Sequence, residues 1–327
     1  MQSTIADFSN ETIVNLSDKY ISQLNERAMT RHEKLWLLVD PTLRSLHDDS
    51  DLWPLLDEFE RHEITFPHSD LHGVMALWLV DIAPENNSLL QQSILEALSE
   101  LRPEKLALGR GRTVCGWLIS SAPVDYLVRH ISETAIQRVV DQGLYMLRFF
   151  DPAVIALVSD HLDNWQRARL FGAVEEWYFL DGEGQLNSQK GYYAGEEQID
   201  FSLSVTASVW EKIKRAGTLN MCLSFYREHA RQKHRVSEKS ARQWLEVAMD
   251  YQSATSVWSL PEIFLPLSFA ILTRHRYVYL HQDIVESVAI AEKTRDKNYQ
   301  PVVRFLEHAD WDQIIADCEQ QYHHLIA

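Results

Sequence analysis

Asp40, Asp81 and Asp151 each close a short apolar run in this chain of 327 residues. Carboxylates at strand ends of an open α/β sheet can gather at one edge and hold a divalent cation, as in a metal-dependent hydrolase or phosphotransferase. The plainer use of the same residues is structural. Asp40 and Asp151 each precede a proline, and an Asp-Pro pair starts helices. The carboxylate accepts from free N–H groups of the first turn, and proline fills a position whose N–H would have no partner. Asp40-Pro-Thr-Leu-Arg44 also lacks a second aspartate two residues on, which a phosphoryl-transfer enzyme of this architecture would usually carry. Capping is therefore the first expectation, and metal chemistry at Asp40, Asp81 and Asp151 the alternative.

The remaining chemical groups point to contacts rather than catalysis. The fourteen histidines hold no zinc spacing. His68 and His72 lie between Pro67 and Gly73, His229 and His234 are five apart, and His323 and His324 are adjacent. Cys115, Cys222 and Cys318 are few, odd in number and far apart, which favours reduced thiols. Gly109-Arg-Gly-Arg112 precedes a strand and lacks the Gly-Lys-Ser/Thr of a phosphate loop, so it reads as a solvated turn, or as two arginines for an acidic partner. No local nucleophile signature appears, and no cofactor is implied. Arg227, Arg231, Lys233, Arg235 and Lys239 form the most basic run, either a solvated helix face or a charged rim that includes Arg231 and Arg235. Tyr192-Tyr193, in a polar connector, are either exposed anchors for a partner or a loop pinned to the core.

These groups must be positioned by elements that hydrophobic periodicity reveals. Leu144-Tyr-Met-Leu-Arg-Phe-Phe-Asp-Pro152 reads as a buried strand over 145–150, stopped by Asp-Pro and followed by an apolar helix through Leu162. Arg148 stands amid apolar neighbours, so it must reach solvent or find a carboxylate or carbonyl. Similar runs predict strands at 35–39, 74–80, 113–120 and 174–180, and a short sixth near Gln185 after the hairpin turn Asp181-Gly-Glu-Gly184. Helical stripes at 52–59, 89–101 and 124–135 lie between them, and amphipathic helix within 5–29 packs outside. The alternation predicts an α/β lobe over 1–190, a mixed sheet covered by helices with an N-terminal helical segment. A connector at 187–198 marks the boundary. Stripes at 241–249, behind Ser237 as N-cap, and at 311–325, behind Asp310 and Gln313, predict an all-α lobe of six or seven helices over 199–327.

Composition is that of an ordinary globular chain, 46% hydrophobic and 24% charged, with a formal net charge of -16. Such acidity opposes non-specific binding to nucleic acid or to an anionic membrane. The apolar stretch 263–273 is too short to span a bilayer, and the first residues show no signal-peptide pattern. A soluble, cytoplasmic protein is the expectation.

Arg-Phe-Phe-Asp-Pro152, then a helix, then Leu170-Phe-Gly172 and an aromatic strand, resembles the type VI secretion effector adaptor, or chaperone, family. Gly116-Trp117-Leu118 with the helix from Val124, and the run Leu35 to Pro41, extend the resemblance from about Leu35 to about Gly184. It implies a bacterial, non-enzymatic adaptor that binds a secreted effector protein and helps load it onto the VgrG spike protein. In that reading Arg148 and Asp151 organise the first lobe and the helical lobe tunes cargo choice.

Overall fold

The computed structural model describes residues 10–31, 33–44, 50–82, 87–102, 105, 111–139, 143–193, 195, 197–230, 235–252, 257–296 and 298–322. Among them, those up to Ala216 form one compact unit and those from Gly217 onward a second.

In the first unit, β1 (Lys34–Val39), β2 (Arg61–Thr65), β3 (Ala76–Ile82), β4 (Val114–Ser120), β7 (Glu176–Leu180) and β8 (Leu186–Lys190) form a six-stranded sheet ordered β2-β3-β1-β4-β7-β8. A separate hairpin pairs β5 (Ile136–Val139) with β6 (Gly143–Met146). Successive side chains of β1 serve opposite faces, as a pleated strand requires. Leu35, Leu37 and Val39 join Val80, Ile82, Trp117, Ile119 and Tyr178 in one core layer. Helices α1 (Asn10–Arg31), α2 (Leu52–Leu56) and α3 (Asn87–Ser99) close that layer through Tyr20, Leu24, Trp53, Leu90 and Ile94. Trp36 and Leu38 join Leu79, Leu118, Trp177 and Phe179 in the other layer. It is closed by α4 (Val124–Thr134), α5 (Pro152–His161), α6 (Asn164–Leu170) and α7 (Ala207–Lys214). Each fully buried aliphatic side chain contributes about 1.5–3 kcal/mol, less the entropy of fixing it.

Burial on both faces is why the central strands appear in sequence as unbroken apolar runs. The α/β lobe is as expected, but strand direction is not written in such runs. All five ladders of the large sheet, and the one of the hairpin, are antiparallel. β2 exposes most of its side chains and buries only Ile64, so it gave no apolar signal.

The stretch 145–150 differs from its expected form. Strand β6 ends at Met146, and 147–150 is irregular: the Asp151 N–H donates to the Arg148 carbonyl at 3.0 Å, closing a turn. Phe149 and Phe150 are both fully buried, and both in the same core layer as Trp177. Two consecutive inward side chains cannot lie on one pleated strand, and the turn resolves that conflict.

The first unit also continues past the expected boundary at 187–198. Residues 187–190 belong to β8, and Phe201, Leu203, Val205, Trp210 and Ile213 are buried in the same core layer as Trp177. Polar side chains hold the extended stretch in place. The Gln198 N–H donates to the Tyr126 hydroxyl at 3.0 Å, and the Leu203 N–H to Gln137 Oε1 at 2.8 Å. Gln137 Nε2 donates to the Phe201 carbonyl, Gln166 Nε2 to that of Leu203, and Arg169 Nε to that of Ser202.

Glu100, just past α3, closes the start of β4: its carboxylate accepts from the Thr113 N–H at 2.6 Å and the Val114 N–H at 3.3 Å. Burial pushes this carboxyl up to about 7, against the pull of those donors and with help from the charge of Glu96. The folded value lies above the ordinary 4.5, so the stability this group lends is full at acid pH and is lost as pH rises through about 7. Glu100→Gln is expected to remove that slope, and at about pH 8 to exceed wild type by on the order of 2 kcal/mol. Urea unfolding at about pH 5 and about pH 8 checks it; parallel pH dependence in the two proteins would refute it.

The second unit is helical, as expected: α8 (Ala216–His229), α9 (Glu238–Tyr251), α10 (Pro261–Thr273), α11 (Gln282–Lys293), α12 (Gln300–His308) and α13 (Trp311–Tyr322). Ser237 caps α9 by accepting from the Ser240 N–H. Asp310 accepts from the Gln313 N–H, while the Gln313 side chain reaches forward to Asp317. Among the described residues no helix is long and apolar enough to cross a membrane, and Cys115, Cys222 and Cys318 are free and buried.

Candidate functional site

Two Asp-Pro pairs from distant parts of the chain are clamped by one guanidinium. Asp40, at the end of β1, accepts from the Thr42 N–H at 3.0 Å and from the Thr42 hydroxyl, capping a single turn at Pro41–Leu43. Asp151 accepts from the Ala153 N–H at 2.9 Å and caps α5, with Pro152 at its first position. Such a cap contributes about 1 kcal/mol. Arg148 Nη2 lies 3.2 Å from Asp40 Oδ2 and 3.8 Å from Asp151 Oδ2. The turn at 148–151 explains the geometry: it sends both Phe rings into the core and leaves Arg148 and Asp151 on one side. Phe149 packs edge-on to Trp177 and Phe150 stacks on Phe66. The Arg148 guanidinium also lies over the Phe150 ring, and its Nη1 is 3.7 Å from Met75 Sδ.

A third segment enters at Gly111. A Cβ there would meet Asp151 Oδ2 at 3.1 Å and Leu43 Cδ1 at 3.2 Å, and its φ of +89° suits glycine. Asp40 has no exposed surface, whereas the Arg148 side chain keeps 34% of its own. Burying a carboxylate is tolerable only with such a partner and with its other lone pairs occupied. The cluster therefore joins the C-terminal end of β1, the 111–113 segment and the start of α5, and Arg148 is the most exposed of its three charged side chains.

The three aspartates do not converge. β3 runs antiparallel to β1, so Asp81 sits opposite Trp36 near the start of β1 and pairs with Lys34 at 2.8 Å. Asp40 stands at the other end of the same strand. Among the described residues no group of three or more His, Cys, Asp or Glu side chains is placed to hold a metal. Arg112 is buried rather than solvated and donates to the Leu180 carbonyl. His68 accepts from the Asp70 N–H in a short turn, so it does not share a helix face with His72.

The tyrosine pair divides between its two readings. Tyr192 is 76% exposed, whereas Tyr193 packs on the core, its ring 5.6 Å from that of Tyr126. In the basic run, Arg227 pairs with Glu238, and Arg235 donates to the Ala230 and Arg227 carbonyls at the end of α8. The Arg235 charge is thus engaged with the helix terminus, where cations are favoured. Arg231 lies outside the described residues. The sequence reading missed Tyr126, Gln137, Gln166 and Arg169 as the holders of the 198–205 stretch. The available signal was the period-two spacing of Phe201, Leu203 and Val205.

Residues 35–169 match a family described as a domain of unknown function (DUF4123). The match takes in both Asp-Pro pairs and Arg148. No curated protein and no solved structure matches the chain.

Proposed function

We propose that the chain is a bacterial, cytoplasmic adaptor of type VI secretion that binds an effector protein and assists its loading onto the VgrG spike, acting by binding rather than catalysis. The observation that carries this reading is the match of residues 35–169 to a domain associated with type VI secretion. The separation of Asp81 from Asp40 and Asp151 favours it over the metal-dependent alternative. In this reading the first unit supplies the shared adaptor function and the second tunes which cargo is accepted. Tyr192 is the aromatic anchor at the contact surface.

The test is tagged co-purification of the chain from its native cell, with partners identified by mass spectrometry and the effector then produced for binding assays. An effector and a spike protein are expected; their absence from repeated preparations would sink the reading. Tyr192→Ala is expected to weaken effector binding by about 2 kcal/mol, roughly thirtyfold, as loss of an exposed anchor does. Unchanged affinity of Tyr192→Ala across a salt series would show that the anchor lies elsewhere.

A further inference from the structure

β8 is an outer strand of the large sheet, and its ladder fixes which of its backbone groups face away from β7. The Gly191 N–H donates to the Glu175 carbonyl at 3.2 Å and the Asp181 N–H to that of Gln185 at 3.0 Å. With Gln189 opposite Trp177 and Asn187 opposite Phe179, the alternation of an antiparallel ladder turns residues 187 and 189 toward β7 and 186, 188 and 190 away from it. The Leu186 backbone meets Tyr20 of α1, whose hydroxyl donates to the Gly184 carbonyl at 2.7 Å, so that end of the edge is covered. Ser188 and Lys190 are exposed, and among the described residues their outward backbone groups have no partner. At the opposite edge of the sheet, α4 lies beside β2 and its Ser132 hydroxyl donates to the Thr65 carbonyl.

Donors and acceptors recurring every second residue along an extended edge are complementary to another extended backbone. Self-pairing would bring together two chains of net charge -16 each, which disfavours a second copy as the occupant. On the strand itself the exposed Asn187 and Ser188 are neutral and Lys190 is a single cation, whereas three acidic residues, Glu175, Asp181 and Glu183, flank it in the hairpin, and the exposed Tyr192 ring follows directly. We propose that β8 is an acceptor strand onto which the cargo adds an extended, polar to basic segment of about four residues through main-chain hydrogen bonds. That the segment comes from the cargo rests on the adaptor reading; that the edge takes a strand does not.

The experiment uses the full chain and three variants. Ser188→Pro and Lys190→Pro each remove an outward N–H that β7 does not use, a position where an edge strand tolerates proline. Ser188→Ala, which loses only the hydroxyl bonded to Glu176, is the control. The probe is a phage-displayed library of random peptides about twelve residues long, enough to include the paired segment. Enriched peptides are expected to bind the proline variants at least about tenfold more weakly, Ser188→Ala within about twofold, and to slow amide exchange at Ser188 and Lys190 in the wild-type chain. The proposal is overturned if no peptide is enriched, or if enriched peptides bind both proline variants unchanged and leave those amides unprotected. A wild-type dimer that Ser188→Pro makes monomeric would also overturn it, because a second copy then fills the edge. Retention of the effector by Ser188→Pro at wild-type affinity would remove the cargo strand while leaving the adaptor reading intact. If no effector accompanies even the wild-type chain, the adaptor reading falls, and with it the cargo assignment, while the peptide result decides the edge by itself.

Discussion

Arg148→Met is expected to cost about 3 kcal/mol of folding stability, the low end of the range for removing one partner of a buried ion pair. Methionine keeps most of the aliphatic stem but removes the guanidinium over Phe150 and leaves the fully buried Asp40 carboxylate without its cation. The Thr42 N–H and hydroxyl still serve one carboxylate oxygen, and about a third of the Arg148 side chain is in solvent, so the larger losses known for sealed pairs do not apply. Adding Asp40→Asn should recover part of the loss, because the charge that needed Arg148 is gone. Urea unfolding of the two single variants and the double variant closes the cycle. Additive losses would mean that the pair has no organising role.

Gly116→Ala is expected to be at least as damaging, about 4 kcal/mol. The residue lies in central strand β4, opposite Leu38, where the β1–β4 register shifts by a residue. A Cβ there would come within 2.3 Å of the Tyr178 carbonyl oxygen and 2.8 Å of Trp177 Nε1. The first contact is with backbone of the neighbouring strand, so no side-chain rotation relieves it. Overpacking of this kind costs about 1–3 kcal/mol, and the φ of +143° adds strain for any residue with a Cβ. The check is thermal and urea unfolding of the purified variant. A loss below about 1 kcal/mol would show that β4 and β7 separate more readily than the packing of Trp117 and Trp177 implies.

The legible part of the fold is the part that burial writes into the chain. Leu35 to Val39, Val114 to Ser120 and Glu176 to Leu180 are covered on both faces, so they stand out as apolar runs, and the Asp-Pro caps carry their own local chemistry. The turn at 148–151 was hidden because Phe149 and Phe150 are as apolar as a strand would be; only the packing of both rings into one core layer, with the Asp151 N–H on the Arg148 carbonyl, shows that they are not one. Strand direction, and with it the distance of Asp81 from Asp40, depends on pairing between distant segments and leaves no local trace. The guanidinium partner of Asp40 was foreseeable in kind, since Arg148 needed a carboxylate or carbonyl, but not in identity. Tyr192 and Tyr193 look alike in sequence, and only the nearby Tyr126 ring separates the anchored one from the exposed one. The edge at β8 was invisible for the same reason as the strand order: a polar run such as Leu-Asn-Ser-Gln-Lys190 becomes an edge only when its place in the sheet is known.

The adaptor reading makes one demand that no merely structural role would meet, which is that the chain connect two other proteins. The direct measurement is to immobilise the purified spike protein and offer it the effector identified by co-purification, with and without this chain. The account predicts that the effector is retained on the spike only when the chain is present, in amounts that saturate with it, and that Tyr192→Ala lowers the retention. Equal retention of the effector without the chain, or none with it, would contradict the account.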